Sequence, residues 1–196
     1  MGKMQEKREA KRLAILNAAR EEFLTAGYEP ANMDRIAALA QVTKQTVYRY
    51  FPSKIELFEA TVRFVGEASE ASFTRHLDNP DAQQALIGFA EGFIRWHLQD
   101  EPLRVFRLLI AESARSPEVV DTFFAVAPDE TNAALTRFFR TRLGVAEPEE
   151  AIFLWASMLS AFRDDVLLGR GRPDDERITW LAKTATRVLL AEFSNS

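Results

Sequence analysis

Within six residues, Lys44, Gln45, Thr46, Tyr48 and Arg49 offer an ammonium, an amide, a hydroxyl, a phenol and a guanidinium. Such groups read base edges and hold phosphates: Lys or Arg pairs with guanine O6/N7, and Gln with adenine N6/N7. The flanking residues supply a frame for them. Asn32 is placed to cap a helix whose apolar residues Met33, Ile36, Ala37 and Ala40 recur at helical spacing. Gln41-Val42 turns the chain, and Thr43 is placed to cap a second helix, Lys44 to Tyr50. Val47, Ile36 and Ala40 close the inner face, so the five polar side chains point outward. Pro52 stops that helix, and Ser53 is placed to cap the next. A short exposed helix with these tips suits the major groove of duplex DNA.

Other chemistries fail on inventory. The 196 residues contain no cysteine, which removes disulfides, thiolate metal sites and thiol nucleophiles. The two histidines, His76 and His97, lack a Glu three residues earlier and a second His at helical spacing, as a di-iron or zinc site would need. No Gly-rich phosphate loop or nucleophile elbow occurs, and Asp164-Asp165 is a lone acidic pair. The sequence therefore predicts no enzyme, no catalytic residues, no metal and no cofactor.

Charge distribution agrees with the DNA reading. The net charge is −4, yet ten of the 25 Lys and Arg and only six of the 29 Asp and Glu fall in residues 1–54. That is +4 in the head and −8 in the remainder, which concentrates attraction for phosphates at one end. The stretch MGKMQEKREAKR is charged, without the apolar core of a signal peptide, and no run is long enough to span a bilayer. A soluble, cytoplasmic chain with no membrane partner is expected.

The elements read as helices throughout, about nine or ten of them. A first helix runs from about Glu9 to Ala26, with Ile15, Ala19 and Phe23 on one face and Gly27 at its exit. A fourth runs from Lys54 to about Leu77 and is broken by Asp78-Asn79-Pro80. Further helices are expected over 81–100, 103–116 and 116–126. Others run from Pro128 to Gly144, from Pro148 to Gly169, and over 174–194, with Pro or Gly at nearly every junction. No strand pattern, repeat or low-complexity segment occurs.

Together with ILNAAREEFLTAGY (15–28), the helix pair resembles the DNA-binding domain of TetR-family transcriptional regulators. The resemblance rests on Ile15, Ala18, Ala19, Phe23, Gly27, Tyr28, Ile36, Ala37, Tyr48, Phe51 and Lys54, in order and without gaps. The phrases RVFRLLIAESARSPEV and FLWASMLSAFRDDVLLGRG resemble the C-terminal domain of the family's AefR-like branch. One departure stands out, because the family usually has Gly at the corner that Gln41 occupies. If that residue takes positive φ, its side chain costs about 1 kcal/mol.

The resemblance implies an all-α protein with a three-helix helix-turn-helix domain and a C-terminal helical regulatory and dimerisation bundle. The expected division is 1–55 and 56–196, with a flexible basic arm over 1–10 and the helix-turn-helix over about 32–51. It implies DNA contacts from Thr43, Lys44, Gln45, Thr46, Tyr48, Arg49, Tyr50 and Lys54, with Lys7, Arg8, Lys11 and Arg12 as arm candidates for phosphate. It further implies a pocket for a small hydrophobic or amphipathic effector between helices of 81–165. Trp96, Phe106, Phe123, Phe124, Trp155 and Phe162 are its candidate walls, although aromatics at this spacing are more often core. Met158, Trp155 and Phe162 alternatively face a second copy, since the last two long helices pair in a homodimer. The expected function is a ligand-responsive repressor that leaves a near-palindromic double-stranded DNA operator when its effector binds. The alternative is a dimeric adaptor whose head no longer binds DNA.

Overall fold

The computed structural model describes residues 2–126 and 129–194, and among these every regular element is helical. The helices are α1 (Lys3–Ala26), α2 (Met33–Leu39), α3 (Lys44–Tyr50), α4 (Lys54–Thr74), α5 (Ala82–His97), α6 (Asp100–Glu112), α7 (Pro117–Val126), α8 (Asp129–Phe138), α9 (Glu149–Leu159), α10 (Ala161–Leu167) and α11 (Asp175–Ser194). A 3₁₀ turn, Arg75–Asp78, follows α4, and a π turn, Phe139–Leu143, follows α8. The expected helix start at Pro128 lies outside the described residues.

Several boundaries differ from the sequence reading for local reasons. Helix α1 begins at Lys3 rather than near Glu9, so residues 3–10 of the basic arm are its first turns. Lys, Gln, Glu, Arg and Ala are all strong helix formers, and no breaker precedes Gly27. Pro102 does not separate two helices: it sits in the first turn of α6, where its missing N–H leaves no bond unmade. The run expected as one helix from Pro148 to Gly169 is interrupted at Ser160, whose hydroxyl donates to the Ala156 carbonyl at 2.9 Å. Such back-bonding competes with the helical ladder.

The chain divides into two compact units, Met1–Ala68 with Arg104–Ala127, and Ser69–Leu103 with Pro128–Ser196. The expected boundary at 55/56 falls inside the first of these. In the first unit, Ile15, Phe23, Ile36, Val47, Leu57, Phe58, Leu108 and Val119 form one buried cluster. Phe23, Tyr28 and Phe58 meet with ring centroids 5.4 to 5.8 Å apart. In the second, Trp155 is fully buried and stacks on Phe89 with centroids 5.5 Å apart, beside Phe73, Leu86, Phe139 and Leu159.

Two buried carboxylates hold the connection between α1 and α2. Glu22 Oε1 accepts from the Asn32 amide at 3.0 Å and from Arg35 Nε at 2.8 Å. Glu112 Oε1, from the end of α6, accepts from the amides of Tyr28 at 2.9 Å and Glu29 at 3.2 Å. Both glutamates are buried, and removing Glu112 leaves the buried Tyr28 amide unmet. Glu112→Ala is expected to lower the unfolding free energy by about 2–3 kcal/mol, and Glu112→Gln, which keeps an acceptor, by clearly less. Urea unfolding of the three proteins measures this.

In the second unit, close packing against Phe93 and Trp96 leaves His97 little access to water. That burial pushes its imidazole down to about 4; the contact of Nδ1 with the Phe93 carbonyl at 2.9 Å opposes the shift, and the Arg163 charge adds to it. The folded value is below the unfolded one of about 6.5, so between the two the unfolded chain binds a proton that the native state refuses. Stability is thus lost as pH falls from about 6.5 towards 4, at up to about 1.4 kcal/mol per pH unit, with no contribution above that window. Comparing urea unfolding of the wild type and His97→Gln at several pH values should show this slope only in the wild type.

Candidate nucleic-acid interface

Each turn of the 32–54 stretch is closed by a specific bond. Asn32 Oδ1 accepts from the Asp34 amide at 2.7 Å and caps α2. Gln41 then adopts φ 54°, the one positive φ at a non-glycine residue among those described. The Val42 amide donates back to the Ala37 carbonyl at 3.0 Å, closing the corner. Thr43 Oγ1 accepts from the Thr46 amide at 3.2 Å and caps α3. Ser53 Oγ accepts from the Glu56 amide at 3.2 Å and donates to its carboxylate at 2.8 Å, capping the start of α4.

Burial sorts the side chains as their types demand. Ile36, Ala37, Val47 and Phe51 are buried against α1 and α4 residues of the same cluster. Ile36 and Val47 are fully buried, each worth roughly 1.5–3 kcal/mol. Lys44, Gln45, Tyr48 and Arg49 are exposed together on α3, while Thr46 and Tyr50 are part-buried. A seven-residue helix therefore presents one polar, cationic and phenolic face.

Not all the expected contact residues are free. Thr43 is committed to its cap, and its hydroxyl also meets that of Thr46 at 2.9 Å. Lys44 Nζ lies 2.8 Å from Asp34 Oδ2, and this hydrogen bond holds the ammonium above its ordinary pKa. Lys54 Nζ donates to the Glu29 carbonyl at 2.9 Å and lies 4.6 Å from the centroid of the Tyr28 ring, tying α4 to the α1–α2 connection. Tyr50 donates its phenol hydrogen to the Arg8 carbonyl at 3.2 Å. Asp34 was missing from the sequence reading: as a first-turn acid of α2 it looks like a helix-dipole partner, and only the fold brings it to Lys44.

The six aromatic candidates for an effector wall fall into two groups. Phe106, Phe123 and Phe124 belong to the first unit, with Phe123 between the other two at 6.0 and 5.4 Å. Trp96, Trp155 and Phe162 belong to the second. Trp96 is part-buried between Phe73 and His97, whereas Trp155 and Phe162 are core residues. The large apolar side chains left exposed on α9 and α11 are Phe153, Leu154, Trp180 and Val188. Sequence reasoning passed over these four, although each alternates around its helix with the buried Trp155, Leu159, Ala182 and Leu189.

Caps, turn and exposed α3 together define a helix-turn-helix DNA-binding transcriptional regulator. The family model for bacterial regulatory proteins of the tetR family matches residues 15–61, and that for the C-terminal domain of AefR-like transcriptional repressors matches residues 84–195. The chain belongs to the TetR family of transcriptional regulators. It is 39% identical over 72 residues to the HTH-type transcriptional activator FasR of Mycolicibacterium smegmatis, covering 37% of this chain and 28% of that protein. A putative TetR-family regulator from Mesorhizobium loti shares the fold at a TM-score of 0.77, with 24% identity over 94% of this chain and 96% of that one. The flavonoid-responsive regulator FrrA superposes at 0.72, with 27% identity over 93% and 96% of the two chains.

The corner residue gives a direct check of the turn. Gln41→Gly relieves the left-handed strain but loosens the unfolded chain, so stability should change by less than about 1 kcal/mol. Gln41→Ile puts a β-branched residue at positive φ and should destabilise by roughly 1–2 kcal/mol. Chemical unfolding distinguishes the two.

Proposed function

We propose that this protein is a homodimeric repressor that binds a near-palindromic operator through α3 and releases it when a small hydrophobic or amphipathic effector occupies the C-terminal domain. The observation that carries the reading is the exposed face of Lys44, Gln45, Tyr48 and Arg49 on a helix fixed by the Thr43 cap. Gln45 and Arg49 read base edges, Lys44 does so after exchanging Asp34 for a guanine or phosphate, and Thr46, Tyr48, Tyr50 and Lys54 meet the backbone. Gln41 gives no support to the adaptor alternative, because the turn closes with its hydrogen bonds made.

Dimerisation is supported by the exposed Phe153 and Leu154 of α9 and Trp180 and Val188 of α11, which a second copy would cover. A two-fold dimer presents two copies of α3 to successive major grooves, about one helical turn apart. The match to AefR-like repressors supports the repressing role. Ligand response is supported by the likeness to FrrA and by the part-buried Trp96 beside Phe73 and His97. An effector acts only through its differential affinity for the DNA-competent and DNA-incompetent states. Such a regulator works in the cytoplasm, where its operator is.

Fluorescence anisotropy on labelled DNA from upstream of its own gene tests the reading. Lys44→Ala/Arg49→Ala should weaken binding by about 30-fold or more, each of the two contacts being worth roughly 1–3 kcal/mol. A double variant that binds the same DNA as tightly as the wild type overturns it.

A further inference from the structure

The turn between α1 and α2 has every main-chain polar group of residues 28–30 in use. Its two amides, of Tyr28 and Glu29, both donate to Glu112 Oε1, and Pro30 has none to give. The Tyr28 carbonyl accepts from the Ala31 amide at 3.2 Å, and the Pro30 carbonyl from Arg35 Nη2 at 3.1 Å. The Glu29 carbonyl accepts from Lys54 Nζ at 2.9 Å. A turn so fully satisfied has one placement. It also joins two elements that are distant in sequence, because Glu112 is the last residue of α6 and Lys54 the first of α4.

The α6 side of this junction is built for its task. Arg104, Leu108 and Glu112 recur every four residues and so share one face of the helix. Arg104 Nη2 donates to the Leu24 carbonyl at 3.3 Å, in the last turn of α1, and Leu108 is buried in the head cluster. The cation thus meets carbonyls at the end of α1, and the anion meets the amides just beyond it. Gly27 leaves room for the carboxylate: its φ is 90°, and a Cβ there would lie 3.2 Å from Glu112 Oε1. Glu112 Oε2 is buried without a hydrogen bond, so a single oxygen carries both amides.

The Lys54 side is held as firmly. Besides the Glu29 carbonyl, its ammonium has the Tyr28 ring centroid at 4.6 Å and the exposed Glu29 carboxylate at 4.0 Å. An ammonium has three donors, and the carbonyl takes one of them. A long side chain fixed in this way has already given up rotamer freedom that binding a phosphate would otherwise cost.

We infer that Glu112 is a positioning residue for operator binding: by fixing the Tyr28–Glu29 backbone it fixes the carbonyl from which Lys54 is presented to a phosphate. The inference rests on the reading of Lys54 as a backbone contact and deepens it. Glu112 itself touches no DNA. When it is lost, the two amides turn to water, the Glu29 carbonyl turns with them, and Lys54 keeps its charge but loses its support.

The test is a double-mutant cycle on DNA from upstream of the protein's own gene, read as the slope of log affinity against log salt. One lost phosphate contact lowers that slope by about 0.9. Lys54→Ala should show this loss, Glu112→Ala up to the same loss, and the double variant no more than Lys54→Ala alone. Glu112→Gln, which keeps an acceptor for the amides, should recover the wild-type slope. Circular dichroism at the assay temperature checks that each protein is folded. Glu112→Asp, which withdraws the carboxylate by one methylene, is the milder variant should Glu112→Ala not fold, and the same slopes judge it. Wild-type slope and affinity in a folded Glu112→Ala overturn the inference. So does a loss of the same size with and without Lys54, since that marks a general effect on the fold. If Lys54→Ala itself leaves the slope unchanged, the reading of Lys54 as a phosphate contact fails, and the inference falls with it.

Discussion

The connection between α1 and α2 must reverse the chain while tucking Tyr28 into the core, and it does so by giving its amides to two carboxylates. Glu22 holds Asn32 from within the head, and Glu112 holds Tyr28 and Glu29 from the end of α6. Everything beyond the connection depends on this. Asn32 must be placed before it can cap α2, and α2 must be placed before the Gln41 corner can aim α3. Hydrogen bonds to ionised acceptors are the strong ones, and burial makes their loss costly. A helix far along the chain therefore takes part in positioning α3.

The second theme is the economy of cations around α3. Lys44 is paired with Asp34, and Lys54 is tied to the Glu29 carbonyl, so neither is simply waiting for phosphate. Exposed pairs of this kind are weak in water, and exchanging Asp34 for DNA costs little. Arg49 and the exposed Lys7, Arg8 and Lys11 of α1 stand differently, lining a common cleft without a carboxylate partner among the described residues. Charge is thus both stored in local pairs and left open beside the end of α3, which fits a +4 head on a −8 remainder.

Much of the head was legible in the sequence because its signals are local. Asn32, Thr43 and Ser53 are caps two to three residues from what they satisfy, and Gly27 and Pro52 end helices by their own backbone chemistry. The limits 44–50 for α3 follow directly. What was not legible depends on partners distant in sequence. Glu112 lies 84 residues from Tyr28, and nothing in RVFRLLIAESARS marks it as a tether. The start of α1 was set too late because a charged run reads as a solvated arm, although its residues are good helix formers. In the second unit the aromatic count suggested a pocket, yet Trp155 and Phe162 are core, and Trp180, exposed on α11, was passed over. Periodicity shows that a helix has two faces without showing which one is covered.

Hydroxyl-radical footprinting of the full-length protein on DNA from upstream of its own gene tests the central claim most directly. If two copies of α3 read successive major grooves, protection appears as two segments about 10 base pairs apart, related by a dyad, and disappears as salt is raised. Absence of protection at low salt, or one unpaired segment insensitive to salt, would contradict the account.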